Sequence, residues 1–262
     1  MRSSWILLAI PTLCILIGCM AFPGESVSEM SEQVTVQIQQ RQLTSGTGAG
    51  RRVCIYAGSG AVLAEDVELA LDRLGIPHTR VNEFDVKAGQ LEACSVLVIP
   101  GGYTKECALS LGEDGFERIR EFVGNGGGYI GICAGAYLAP ETVEVPGHPP
   151  GLGIIDIRNR RESGMGIRTI EVVKPDHPLA KGYKGTIKIW YQNGPMIEAG
   201  RGVETIAVYR KGSAAVVCSA YGEGKVVIFS PHPEGSLNAG VDPQRMGTLN
   251  LLGNAISFAE SE

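Results

Sequence analysis

From residue 51 onward the sequence alternates short, almost wholly apolar runs with stretches of helical period, and this alternation leaves few architectures open. VCIYAG at 53–58, SVLVIP at 95–100 and GYIGIC at 128–133 lack the polar alternation of a strand with one wet face. A weaker run spans His78 to Phe84. Between the runs, Val62, Val67, Leu69, Ala70, Leu71 and Leu74 fall near one helical face, and GFERIREFV at 115–123 reads as a second helix. Strands buried on both faces between helices predict a doubly wound α/β sheet that is mostly parallel. The C-terminal half changes character. TIEVV, GTIKIWY, ETIAVYRK, AAVVCSAY and GKVVIFS are closely spaced and divided by glycines, which predicts antiparallel additions before a last helix from Met246 to Ala259.

The N-terminal residues read differently. Trp5 to Gly18 is apolar without a break and follows Arg2; at 14 residues it is too short to span a bilayer but suits a signal-peptide core. It closes on Leu16-Ile17-Gly18-Cys19, which resembles the bacterial lipobox, where the cysteine is acylated and becomes the new N-terminus. The expected organisation is a signal over 1–18, a lipidated Cys19 with a flexible tether over 19–50, and one domain over 51–262. That places the protein in the cell envelope, held to a membrane by its lipid and facing away from the cytoplasm. Met20, in place of aspartate, favours an outer membrane in a cell that has one. A net charge of −5 argues against binding the phosphates of a nucleic acid. Of the seven cysteines, five lie beyond Cys19, an odd number that implies a free thiol. Cys54 and Cys218 sit in apolar runs and read as buried small hydrophobes, while spacing does not decide whether Cys94 and Cys107 pair.

Glycine is the compositional outlier, at 36 of 262 residues or about 14%, roughly twice ordinary usage. Six of the twelve residues from Gly124 to Gly135 are glycine, in GNGGGYIGICAG. Within it, Gly131-Ile132-Cys133-Ala134-Gly135 has the form of a nucleophile elbow, a sharp strand-to-helix turn that holds its central residue strained and exposed. The N–H groups of the following helix would favour a thiolate at Cys133. Ser230-Pro231-His232-Pro233-Glu234 follows the strand GKVVIF. In extended chain His232 and Glu234 face the same side, so Glu234 can orient the imidazole while His232 takes the proton of Cys133. Pro100-Gly101-Gly102 ends another strand, and the N–H groups of Gly102 and Ala134 suit an oxyanion. All three features lie at the carboxyl ends of predicted parallel strands, the edge where such sheets bind ligands. Gly101, Tyr103, Tyr191 and Asn193 are candidate substrate contacts. Trp190 and the cluster Arg158, Arg160 and Arg161 are further ones, the arginines pairing with a carboxylate or forming a solvated loop.

The stretches IPGGYTKECALSLGEDGFERIREFVGNGGGYIGICAGAYLAP, IKIWYQNGPMI and AAVVCSAYGEGKVVIFSPHPEGS resemble the biotin-protein ligase N-terminal-like family, within the class I glutamine amidotransferase-like superfamily. The resemblance covers most of residues 51–240. It implies the flavodoxin-like amidotransferase fold and puts nucleophile, base and acid on Cys133, His232 and Glu234. It does not imply biotinylation, because the ligase domain and its adenylate loop have no counterpart. The chain departs from the family at Lys105-Glu106, where a Pro-Tyr pair is usual. The implied chemistry is hydrolysis or transfer of a small amide or peptide-like substrate through a thioester, with no cofactor, no metal and no identified protein partner. The rival is a non-catalytic module that uses the same pocket to hold a ligand or partner.

Overall fold

The computed structural model describes residues 52–144 and 146–261, so the expected signal, Cys19 and the whole of the tether lie outside the described residues. Residues 51–262 form one compact unit. Its first half runs β1 (Arg52–Tyr56), α1 (Ala64–Leu74), β2 (His78–Val81), α2 (Glu83–Lys87), β3 (Cys94–Ile99), α3 (Thr104–Gly124), β4 (Gly128–Ile132) and α4 (Ala134–Leu138). The second half runs β5 (Ile157–Arg161), β6 (Met165–Val172), β7 (Thr186–Gln192), β8 (Pro195–Ala199), β9 (Glu204–Tyr209), β10 (Ala214–Tyr221), β11 (Gly224–Phe229), α5 (Pro243–Met246) and α6 (Leu249–Glu260). One mixed sheet is ordered β2-β1-β3-β4-β11-β10-β9-β6-β7, and the ribbon β5-β8 joins it through β10. The pairs from β2 to β11 are parallel and the pairs beyond are antiparallel.

Continuous apolar strands serve two cores at once. Along β1, Val53 and Ile55 pack with Val67 and Leu71 of α1 and Leu252 and Ile256 of α6. Cys54 and Tyr56 point the other way, into the layer with Val86 of α2 and Leu111 and Ile119 of α3. A strand whose two faces are both covered has no place for polar alternation, which is why these runs are uniformly apolar. Burial at about 25 cal/mol per Å² of apolar surface makes each large side chain here worth roughly 1.5–3 kcal/mol.

Several boundaries differ from the sequence reading, each for a local reason. The run after His78 is cut by a helix, because the side chains of Asn82 and Asp85 cap one another's backbone N–H groups and start α2. Helix α3 begins at Thr104, well before Gly115, and bends at Gly112, whose φ of 61° interrupts the helical period. The last helix is two, divided at Gly247 with φ of 79°. The ribbon β5-β8 escaped notice because IRNRR offers two apolar-facing positions only, Ile157 and Asn159, among arginines.

The cysteines require a correction. Cys54 is not a free buried thiol; it forms a disulfide with Cys94, on the neighbouring strand β3, with a Cα–Cα distance of 5.7 Å. Sequence distance conceals the pair because β1 and β3 meet only through a parallel crossover. Cys107, Cys133 and Cys218 are free, and burial pushes the Cys107 and Cys218 thiols up to about 12. The disulfide closes a loop of 40 residues, which by loop-closure entropy is worth about 2–4 kcal/mol. Cys54→Ser with Cys94→Ser should lower the unfolding free energy by about that amount, and denaturant titration of both forms under non-reducing conditions measures it.

Candidate active site

The backbone at Cys133 is the unusual element. It adopts φ 51° and ψ −94°, a conformation that costs a non-glycine residue about 1–3 kcal/mol. Two glycines permit the turn. A Cβ on Gly131 would lie 2.6 Å from the Gly135 carbonyl oxygen, and one on Gly135 would collide with the carbonyl oxygen of Ile99 on β3. Hydrogen bonds hold the strained residue from both sides: its N–H donates to Phe229 O at 3.0 Å, and its carbonyl accepts from Tyr137 N at 3.1 Å. The helix that follows, α4, has only five residues, so its dipole is that of little more than one turn. The group beside the sulfur is instead the imidazole of His232, for Cys133 Sγ and His232 Nε2 face the same Gln192 carbonyl.

His232 sits just past the end of β11, the strand paired parallel with β4, so the register brings it next to the elbow. Its N–H donates to Trp190 O at 2.8 Å, which ties it to β7. Its Nδ1 lies 2.7 Å from Glu234 Oε1, and both side chains are fully buried. Burial pulls the imidazole down, but the Glu234 carboxylate and the Cys133 side chain outweigh it and hold the pKa well above the ordinary value. Burial raises the Glu234 carboxyl in turn, and His232 offsets this only in part. The Gln192 carbonyl faces the pair, 3.3 Å from Cys133 Sγ, whose thiol donates to it, and 3.5 Å from His232 Nε2.

Gly101 and Gly102 complete the edge. A Cβ on Gly101 would stand 2.8 Å from His232 Cε1, and one on Gly102 would collide with Gly60 O. Neither the Gly102 nor the Ala134 N–H donates a hydrogen bond among the described residues, so both remain available beside Cys133. A cavity of ≈ 720 Å³ opens here, lined by Cys133, His232, Gly102, Tyr103, Asn193 and Gln192 together with Lys105, Glu106, Tyr137, His148 and Arg161. Tyr103 is 62% exposed at its mouth.

Two sequence expectations change. Tyr191 is wholly buried and stays out of the cavity: its hydroxyl donates to Glu162 O and Gly194 O, and the Arg168 guanidinium lies 3.5 Å above its ring centroid. Of the three arginines only Arg161 reaches the cavity. The reason is strand alternation along β5. Asn159 turns inward and donates from Nδ2 to Ala136 O of α4 at 2.8 Å, Arg161 shares its face, and Arg158 points away to pair with Glu144. Sequence reasoning missed the Gln192 carbonyl and Tyr137. Tyr137 was readable as the residue four positions after Cys133; a backbone carbonyl leaves no signal in sequence.

Comparison with known proteins bears on the family and the fold. Residues 51–162 match the family described as biotin-protein ligase, N terminal. The chain is 35% identical over 165 residues to the pyridoxal 5'-phosphate synthase subunit PdxT of Koribacter versatilis, covering 63% of this chain and 79% of that protein. It is 25% identical over 163 residues to the biotin–protein ligase of Schizosaccharomyces pombe, covering 53% of this chain but 25% of that protein. The structure of PurLQS from Thermotoga maritima superposes with a TM-score of 0.60 at 18% identity, over 79% of this chain and 98% of that one, a likeness of fold. Fold and relatives define a class I glutamine amidotransferase-like protein. Within that superfamily the chain belongs to the biotin-protein ligase N-terminal-like family.

The contrast between two glycines tests the elbow. Gly135→Ala should destabilise the protein by about 3 kcal/mol or more, because the Ile99 carbonyl is backbone and has no easy retreat. Gly253→Ala, mid-way along α6 with only the Leu74 methyl groups near at 3.4 and 3.5 Å, should gain about 0.5–1 kcal/mol. Chemical denaturation of both variants gives the comparison.

Proposed function

We propose that this amidotransferase-like protein is a lipid-tethered, extracytoplasmic cysteine hydrolase or transferase acting on small amides. The observation that carries the reading is the conjunction at Cys133: a strained φ of 51°, an imidazole that faces the same Gln192 carbonyl as the sulfur, and a carboxylate 2.7 Å behind that imidazole. Proton transfer from the thiol to His232 Nε2 gives a thiolate–imidazolium pair, which Glu234 stabilises. The sulfur attacks the carboxamide carbon, and the oxygen that becomes negative is received by the N–H groups of Gly102 and Ala134. His232 returns its proton to the departing nitrogen as the C–N bond breaks, leaving a thioester on Cys133. Water then gives a proton to His232 and its oxygen to the acyl carbon, and the C–S bond breaks to release acid and free thiol.

The walls of the cavity support one substrate class. Arg161 and Lys105 bring two cations to a cavity that Glu106 shares, which fits a molecule with a carboxylate near its amide, such as a γ-glutamyl or peptide-like amide. The Cys54–Cys94 disulfide supports an oxidising compartment, in keeping with the lipobox-like Cys19.

Three results bear on this reading. With a γ-glutamyl amide as substrate, Cys133→Ala should lower hydrolysis by about 10³-fold or more, and equal turnover by variant and wild type would end the mechanism. Arg161→Ala should raise KM about 10–100-fold with kcat little changed, the pattern of a lost carboxylate contact. Mass spectrometry of the protein extracted from membranes should find acyl chains on Cys19; a processed or intact N-terminus with Cys19 unmodified would contradict the tether.

A further inference from the structure

An aspartate in the first turn of a helix ordinarily faces water, since a buried carboxylate is costly without a partner. Asp66, in the first turn of α1, is only 5% exposed. Its Oδ1 accepts from the N–H of Leu237 at 2.7 Å, which fastens α1 to the turn three residues beyond Glu234. Asp66 and Glu234 line one cavity of ≈ 320 Å³, separate from the cavity at Cys133. Glu234 turns Oε1 to His232, while its Oε2 is buried with no hydrogen-bond partner among the described residues. Two buried acidic groups therefore line one cavity beside the turn that carries His232, and among the described residues no other basic side chain is buried.

We propose that Asp66 is a positioning residue for His232: its charge favours the imidazolium and its bond to Leu237 seats the turn that carries Glu234. The inference rests on the reading of His232 as the base of the site. Its chemistry is reciprocal: the His232 cation favours the ionised Asp66 carboxyl, so the ionised carboxyl must favour the cation equally. Burial opposes this by raising the Asp66 carboxyl, and the Leu237 N–H and His232 oppose burial. The other charged groups around Asp66 are Glu65 and Arg73 on α1, Glu234 on the turn, and Asp242 and Arg245 at α5. Arg73 pairs with Asp242 at 2.7 Å, and the pair is part-exposed at the cavity rim, so its effect on the buried imidazole is screened.

The test is an NMR titration of the His232 imidazole in a Cys133→Ser background, which needs no turnover and so separates this inference from the hydrolase reading. Asp66→Asn keeps an oxygen for Leu237 but removes the charge, and Asp66→Ser shortens the side chain and removes it too. Each should lower the His232 midpoint by roughly 0.5–1 pH unit, a three- to ten-fold change in the proton equilibrium. An unchanged midpoint in either folded variant would reduce Asp66 to an anchor for the turn and overturn the proposal. The carboxyl ¹³C shift of Asp66, read without substituting it, should inflect at the His232 midpoint; a flat response there would overturn it equally.

Discussion

The strained backbone of Cys133 is the constraint on which the site depends. A residue at φ 51° persists only where its surroundings over-determine it, and here they do so from three strands. Strand β4 delivers it, Phe229 at the end of β11 bonds its N–H, and Ile99 at the end of β3 lies so close to Gly135 that only hydrogen fits between them. The parallel core of the sheet thus does more than bury apolar surface. By fixing the relative height of three adjacent strand ends it fixes a sulfur, an imidazole and two free N–H groups along one edge.

The antiparallel half supplies what the parallel half lacks. Strand β7 ends in Trp190 and Gln192, whose carbonyls hold the His232 backbone and face the sulfur–imidazole pair. Strand β5 brings Arg161 inward because Asn159, two residues earlier, is tied to α4. Cys133 and His232 follow parallel strands, whereas the two cations of the cavity come from different places, Arg161 from the less regular ribbon and Lys105 from α3. This division lets one scaffold keep its chemistry while the substrate changes.

The parallel strands, the elbow and the His–Glu pair were legible in the sequence because each obeys a local rule: unbroken apolar runs, glycines at a fixed spacing, and two residues of extended chain sharing a face. The bounds of β10 coincide with AAVVCSAY for the same reason. What was hidden depends on tertiary proximity. The Cys54–Cys94 bridge needs the crossover between β1 and β3, and the strand β5 reads as a charged loop until β8 pairs with it. Tyr191 resembled a pocket residue because an aromatic beside Asn193 fits that role, yet two carbonyls and Arg168 claim it for the interior. An acid in the first turn of a helix carries no sequence mark of burial, and Asp66 is buried where the turn after Glu234 bonds to it.

A fully buried imidazole and carboxylate, with one carboxylate oxygen unpartnered among the described residues, would be an expensive way to stabilise a fold. The arrangement makes physical sense as the support of a thiol that must lose its proton. The direct measurement is the rate at which iodoacetamide alkylates Cys133 across a pH series, with the modified cysteine mapped by mass spectrometry. Cys133 should react much faster at pH 6 than an unassisted thiol, and His232→Ala should abolish the excess. A rate no greater than that of an ordinary thiol, unaffected by His232→Ala, would contradict the account.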